Sequence, residues 1–110
     1  MIENTVQKIE SRIHTSESIN PERKRELLEL VGTLKAEVAE LSKTHGEQAQ
    51  SIAGFTDVST HEATRAELNP QLLKLSLEGL SSSVHGFEKS HPRLVQIVNS
   101  ISNTLSNLGI

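Results

Sequence analysis

Apolar residues recur along this chain at alternating steps of four and three. Ile2, Val6, Ile9 and Ile13 form one such stripe, and Leu27, Val31, Leu34, Val38 and Leu41 form a second. Leu73, Leu77, Leu80, Val84 and Phe87 form a third, and Leu94, Val98, Ile101, Leu105 and Leu108 a fourth. A repeat near 3.5 residues gathers each set on one side of a helix, whereas a half-buried strand needs alternation at every second residue, which no stretch sustains. The expected fold class is all-α: an antiparallel helical hairpin or bundle of three to four helices with heptad-spaced apolar seams, in a single domain over residues 1–110.

The prolines place the ends of these helices. They follow Asn20, Asn69 and His91. Proline suits the first helical position, where its missing N–H would have no partner anyway, and Asn before it is a good cap. Helices are therefore predicted over about 2–16, from 21, and from 70. The second stops near 44 or runs on to 55, because heptad steps from Leu41 reach His45, Gln48, Ile52 and Phe55. Extension would carry Gly46 and Gly54 at about 1 kcal/mol each relative to Ala. Between Phe55 and Asn69 the pattern lapses, and Ser59 and Glu62 stand in capping-box spacing. A short helix at about 60–67 is expected there, inside what reads as the main connection and the most mobile region.

Steps of four and three from Phe87 land on His91 and Leu94, so the third and fourth stripes share one phase across Pro92. That continuity favours one helix over 70–108, kinked at Pro92, over two helices broken there. Proline inside a helix removes a hydrogen bond and clashes with the carbonyl four residues back, here Glu88, at a cost of about 3 kcal/mol, so the broken form stays open. Gly109, just past the last stripe residue, is placed to close the final helix in a left-handed conformation, with Ile110 folding back on it.

Composition narrows the functional classes. The chain has 110 residues and no cysteine, which excludes a disulfide framework, a thiolate nucleophile and a cysteine-type zinc site. Stability must come from packing, and a chain of this size buries only about 60–65% of its unfolded surface, so association would help. The net charge is −3, Phe55 and Phe87 are the two aromatic residues, and the basic run Arg23-Lys24-Arg25 is flanked by Glu22 and Glu26. Neither a basic field nor a stacking platform for nucleic acid is present. No apolar run approaches the ~20 residues that span a bilayer, and the amino terminus lacks the basic and apolar segments of a secretory signal. The expectations are no nucleic-acid partner, no membrane partner and a cytoplasmic location.

The candidate chemistry rests on His14, His45, His61, His85 and His91. No two of them are three or four apart, and Glu88-x-x-His91 occurs once where a di-metal helical site needs such a pair twice. Ser81-Ser82-Ser83 lacks a nucleophile elbow, and the glycines form no phosphate-binding loop. No catalytic residue, metal ligand or cofactor is assigned. His91 falls on the apolar seam beside proline, where an imidazole can act as a pH-sensitive group or satisfy a backbone group freed by the bend; the structural role is favoured.

Charge is uneven along the chain. Residues 1–44 carry 8 acidic and 7 basic side chains, and residues 70–110 carry 2 and 3. The last helix instead presents Ser, Asn and Thr, indifferent helix formers that need packing to hold them helical. A low-charge face suits an interface. The expected function is a non-catalytic helical protein acting by self-association, most simply as a homodimer. The alternative is a regulatory adaptor that binds a partner protein through a helix face, and a weaker one is a histidine-dependent metal-binding protein.

The segment Phe87-Glu88-Lys89-Ser90-His91-Pro92-Arg93-Leu94, followed by Ile101, Leu105 and the ending Gly109-Ile110, resembles an uncharacterised family of short bacterial helical proteins of unknown function. Its signature is Phe-Glu-x-x-His-Pro-x-Leu leading through an apolar helix to Gly-Ile. Residues from about Glu26 to Leu41 are similar to its first part more loosely, so the resemblance covers about two thirds of the chain. Residues 45–69 are longer than the connection usual in that family. The resemblance implies a helical fold, marks Phe87, Glu88, His91, Pro92, Leu94, Gly109 and Ile110 as motif residues, and implies no activity.

Overall fold

The structure, a computed structural model, describes residues 2–108 and contains five α-helices among them: α1 (Ile2–Thr15), α2 (Pro21–Ser42), α3 (Gly46–Ala63), α4 (Pro70–Ser83) and α5 (Pro92–Leu108). Helix is the only regular element of the described residues. Asn20 and Asn69 cap α2 and α4, their side-chain oxygens accepting from the Arg23 and Leu72 amides at 2.9 and 3.1 Å. The apolar stripes form the core: Val6, Ile9 and Ile13 of α1, all five stripe residues of α2, Leu73 and Leu80 of α4, and Leu94, Val98, Ile101 and Leu105 of α5 are buried together. Leu77 and Phe87 are only partly buried against them. Gly109 and Ile110, expected to close the last helix, lie outside the described residues.

Residues 45–67 depart most from expectation. Neither an extension of α2 to 55 nor a short helix at 60–67 forms. The chain turns at 43–45, with the His45 amide donating to the Leu41 carbonyl at 2.8 Å, and then runs as one helix through the polar stretch 56–62. Far from being a loose connection, α3 packs against all four other helices. Its buried residues are mostly small: Ala49, Ala53, Thr56, Ser59, Thr60 and Ala63 accompany Ile52. Small side chains let neighbouring backbones approach closely, which gives one helix room for four neighbours. Thr56 and Thr60 enter the core without external partners because each hydroxyl donates to the carbonyl four residues back, Thr56 to Ile52 and Thr60 to Thr56, at 2.8 Å; the half-buried Thr64 just past the helix end donates likewise to Thr60. A buried hydroxyl satisfied in this way avoids most of its desolvation penalty and presents its methyl group to the neighbour.

The kinked helix over 70–108 is also replaced. At 1.5 Å per residue it would approach ~60 Å, whereas the longest dimension of the molecule is 37 Å. The α4 helix ends at Ser83, its last turn tightened by the Val84 amide donating to the Ser81 carbonyl and the His85 amide donating to the Ser82 carbonyl. Gly86 then takes a φ of 97°, the left-handed conformation that glycine adopts without steric cost. The chain reverses, and α5 packs back on α2 and α4, with Arg93 Nε 3.7 Å from Glu37 Oε2. The phase shared by the third and fourth stripes has a different origin. Phe87 and His91 belong to the turn and pack there on the end of the bundle.

Because Pro92 opens a separate helix, its value is a preset first-turn φ and a restricted unfolded state. Pro92→Ala is therefore expected to lower stability by about 0.4–1 kcal/mol. A urea melt that shows a gain instead would contradict the broken-helix geometry.

Candidate functional site

The described motif residues, Phe87, Glu88, His91, Pro92 and Leu94, lie together at the corner between α4 and α5. Phe87 and His91 meet edge to face with ring centroids 5.5 Å apart. A third ring, His45 from the turn before α3, completes the group at 5.5 Å from Phe87 and 6.2 Å from His91, again edge to face. Such contacts contribute about 0.5–1.5 kcal/mol beyond burial, and here they join the α2–α3 turn to the α4–α5 turn. Glu88 does not face the rings: its carboxylate accepts from the Gly86 amide at 2.9 and 3.1 Å, holding the left-handed glycine in place. The Nδ1 atoms of His45 and His91 are hydrogen-bonded to the neighbouring Thr44 and Ser90 hydroxyls at 2.8 and 2.9 Å. Pro92 starts α5, and Leu94 is fully buried two residues later. Each of these residues thus has a position in building a turn.

The remaining histidines stay apart. The His61 ring is hydrogen-bonded to Arg12 Nη1 at 3.2 Å, and Arg12 Nε donates to Asp57 at 3.0 Å, tying α1 to α3. The carboxylate of Glu62, nearly buried, pairs with Arg65 at 3.0 Å. His85 lies near Glu88 on the outer side of the turn, its ring 3.9 Å from the carboxylate. Among the described residues no three His, Asp or Glu side chains are placed to hold a metal ion, and no helix is long and apolar enough to cross a membrane. His45 and His91 lie 46 positions apart in sequence, so spacing along one helix could not have revealed that they meet.

The conspicuous surface feature is elsewhere. The large apolar residues that remain exposed among the described residues are Phe55, Val58, Leu68, Leu72 and Leu75, with 36–56% of their surface accessible. All belong to α3, α4 or the connection between them. The Phe55 ring lies directly over Gly79, where a Cβ would overlap the ring edge; the glycine lets α3 and α4 close on each other at this point. A groove of about 540 Å³ opens beside that contact, bounded by Ser51, Phe55, Gly79, Ser82 and Phe87. By contrast, the outer positions of α5 (Gln96, Asn99, Ser100, Asn103, Ser106 and Asn107) are exposed and wholly polar.

A five-helix bundle with a ring-packed turn between α4 and α5 and an apolar strip on one helical hairpin is a small all-helical module. The chain belongs to the family described as a domain of unknown function (DUF4404), whose model matches residues 2–110. That match runs through α3, the segment for which the terminal signature offered no support. No curated protein and no solved structure matches the chain.

Proposed function

We propose that this protein works by association, as a non-catalytic helical module that pairs with itself through the α3–α4 hairpin. The observation that supports this reading is that, among the described residues, the five large apolar ones left exposed are confined to positions 55–75. Single exposed leucines are ordinary on a protein surface, but a cluster on two adjoining helices resembles an interface core. The low-charge face of α5, which the sequence offers as the interface, is lined by amides and hydroxyls that water satisfies well, so α3–α4 is the stronger surface. Sedimentation equilibrium over about 1–100 μM is expected to show a dimer that dissociates on dilution. A monomer throughout that range would overturn the proposal.

A further inference from the structure

We infer that a second copy docks on the α3–α4 face about a two-fold axis that passes between the two α4 helices at the level of Ser76, with Lys74 of each copy against Glu78 of the other. This rests on the self-association reading and specifies its geometry. Leu72, Leu75 and Gly79 follow one another at steps of three and four, so they line one side of α4. Leu75 is the most exposed of the large apolar residues, at 56%. Phe55 and Val58 of α3 adjoin that side through the Phe55–Gly79 contact. Together with Ser51 and Ser82, which line the same groove, the strip contains no charge.

The charges lie along its edge. Lys74 and Glu78 are one turn apart and both line the shallow groove between α4 and α5 with Pro70 and Leu77. Among the described residues neither has an ion-pair partner within the chain. When two copies of a helix pair antiparallel about an axis at Ser76, residues two before and two after the axis come opposite each other on the same edge. Lys74 then meets Glu78 twice. A parallel pairing would carry the Lys74–Glu78 edge of the second copy to the opposite side of the pair, away from these residues, so only the antiparallel form brings the opposite charges together. On the other edge Phe55 and Val58 close against the second copy, and the two hairpins make a four-helix layer.

Size sets the strength. With 14 residues, α4 is ~21 Å long, and two helices side by side are ~20 Å wide. A face of ~400 Å² is smaller than the ~800 Å² per partner of a stable interface, so the dimer is reversible and concentration-dependent.

Charge exchange tests this geometry. Lys74→Glu and Glu78→Lys, both at exposed positions, are each expected to raise the dimer dissociation constant about tenfold by setting like charges opposite one another. The double variant should return it to near the wild-type value. Because the chain lacks cysteine, Leu75→Cys offers a single thiol, and a short bis-maleimide should link two copies there but not in a Ser100→Cys variant on α5. A wild-type dimer that ignores both charge changes, or links through position 100 and not 75, overturns this geometry and leaves self-association standing. A wild-type monomer at every concentration overturns both. Rescue by the double charge exchange, with unchanged melting of each variant, establishes the inferred pairing.

Discussion

Leu34→Ala, Ile52→Ala and Ile101→Ala are each expected to lower the free energy of unfolding by about 2–5 kcal/mol, and Leu77→Ala by clearly less. The first three side chains are fully buried, on α2, α3 and α5. Each truncation loses the transfer free energy of the removed carbons and leaves a cavity between helices that cannot fully collapse. For a domain with a total stability of about 5–15 kcal/mol, one such change is enough to populate the unfolded chain. Leu77 occupies the same kind of stripe position but is only partly buried, so solvent can fill part of the space it vacates. Chemical denaturation of the four variants separates the two groups. Equal losses for Leu77 and Leu34 would mean that α4 packs differently from the arrangement described.

Ala53→Leu should be almost as damaging in the opposite sense, costing about 1–3 kcal/mol by overpacking. On sequence alone this change looks favourable, since Leu is a good helix former and would strengthen a weak apolar pattern. In the structure Ala53 is buried on the helix that touches every other helix, and three added carbons must push a neighbour away. A thermal melt decides between the readings: a higher midpoint for Ala53→Leu would show that α3 is the loose element its composition suggests.

The two views of α3 show what a periodic pattern can and cannot reveal. α1, α2 and α5 each bury one side, so large apolar residues recur at helical spacing and the stripes are plain in the sequence. α3 is buried over a wider arc with small residues, and Thr56 and Thr60 among them count as polar in any apolar tally. Only the i to i−4 hydroxyl bonds show that those side chains bring no unmet hydrogen-bond demand into the core. The chain break after α4 was hidden for another reason. The turn that follows Ser83 contains Gly86, one residue before Phe87, whereas the phase shared by the third and fourth stripes runs on across Pro92. The motif itself was legible as Phe87, Glu88, His91, Pro92 and Leu94, but its third ring, His45, comes from a distant turn that local spacing does not register. The exposed strip was partly visible, since Leu72 and Leu75 fall off the third stripe; its continuation to Phe55 and Val58 depended on how α3 and α4 lie together.

The central place of α3 in the bundle coincides with a central place in the chain, two helices preceding it and two following. This orders events during synthesis on the ribosome. When α1 and α2 emerge, they have only each other's stripes to cover, and the remaining faces of both await a helix not yet made. Emergence of α3 supplies the first three-helix core, and α4 and α5 can then add to a surface already present. The aggregation-exposed interval of a nascent chain is the time during which apolar faces lack partners. Here that interval closes once α3 has left the ribosome, because α3 packs against both helices that precede it.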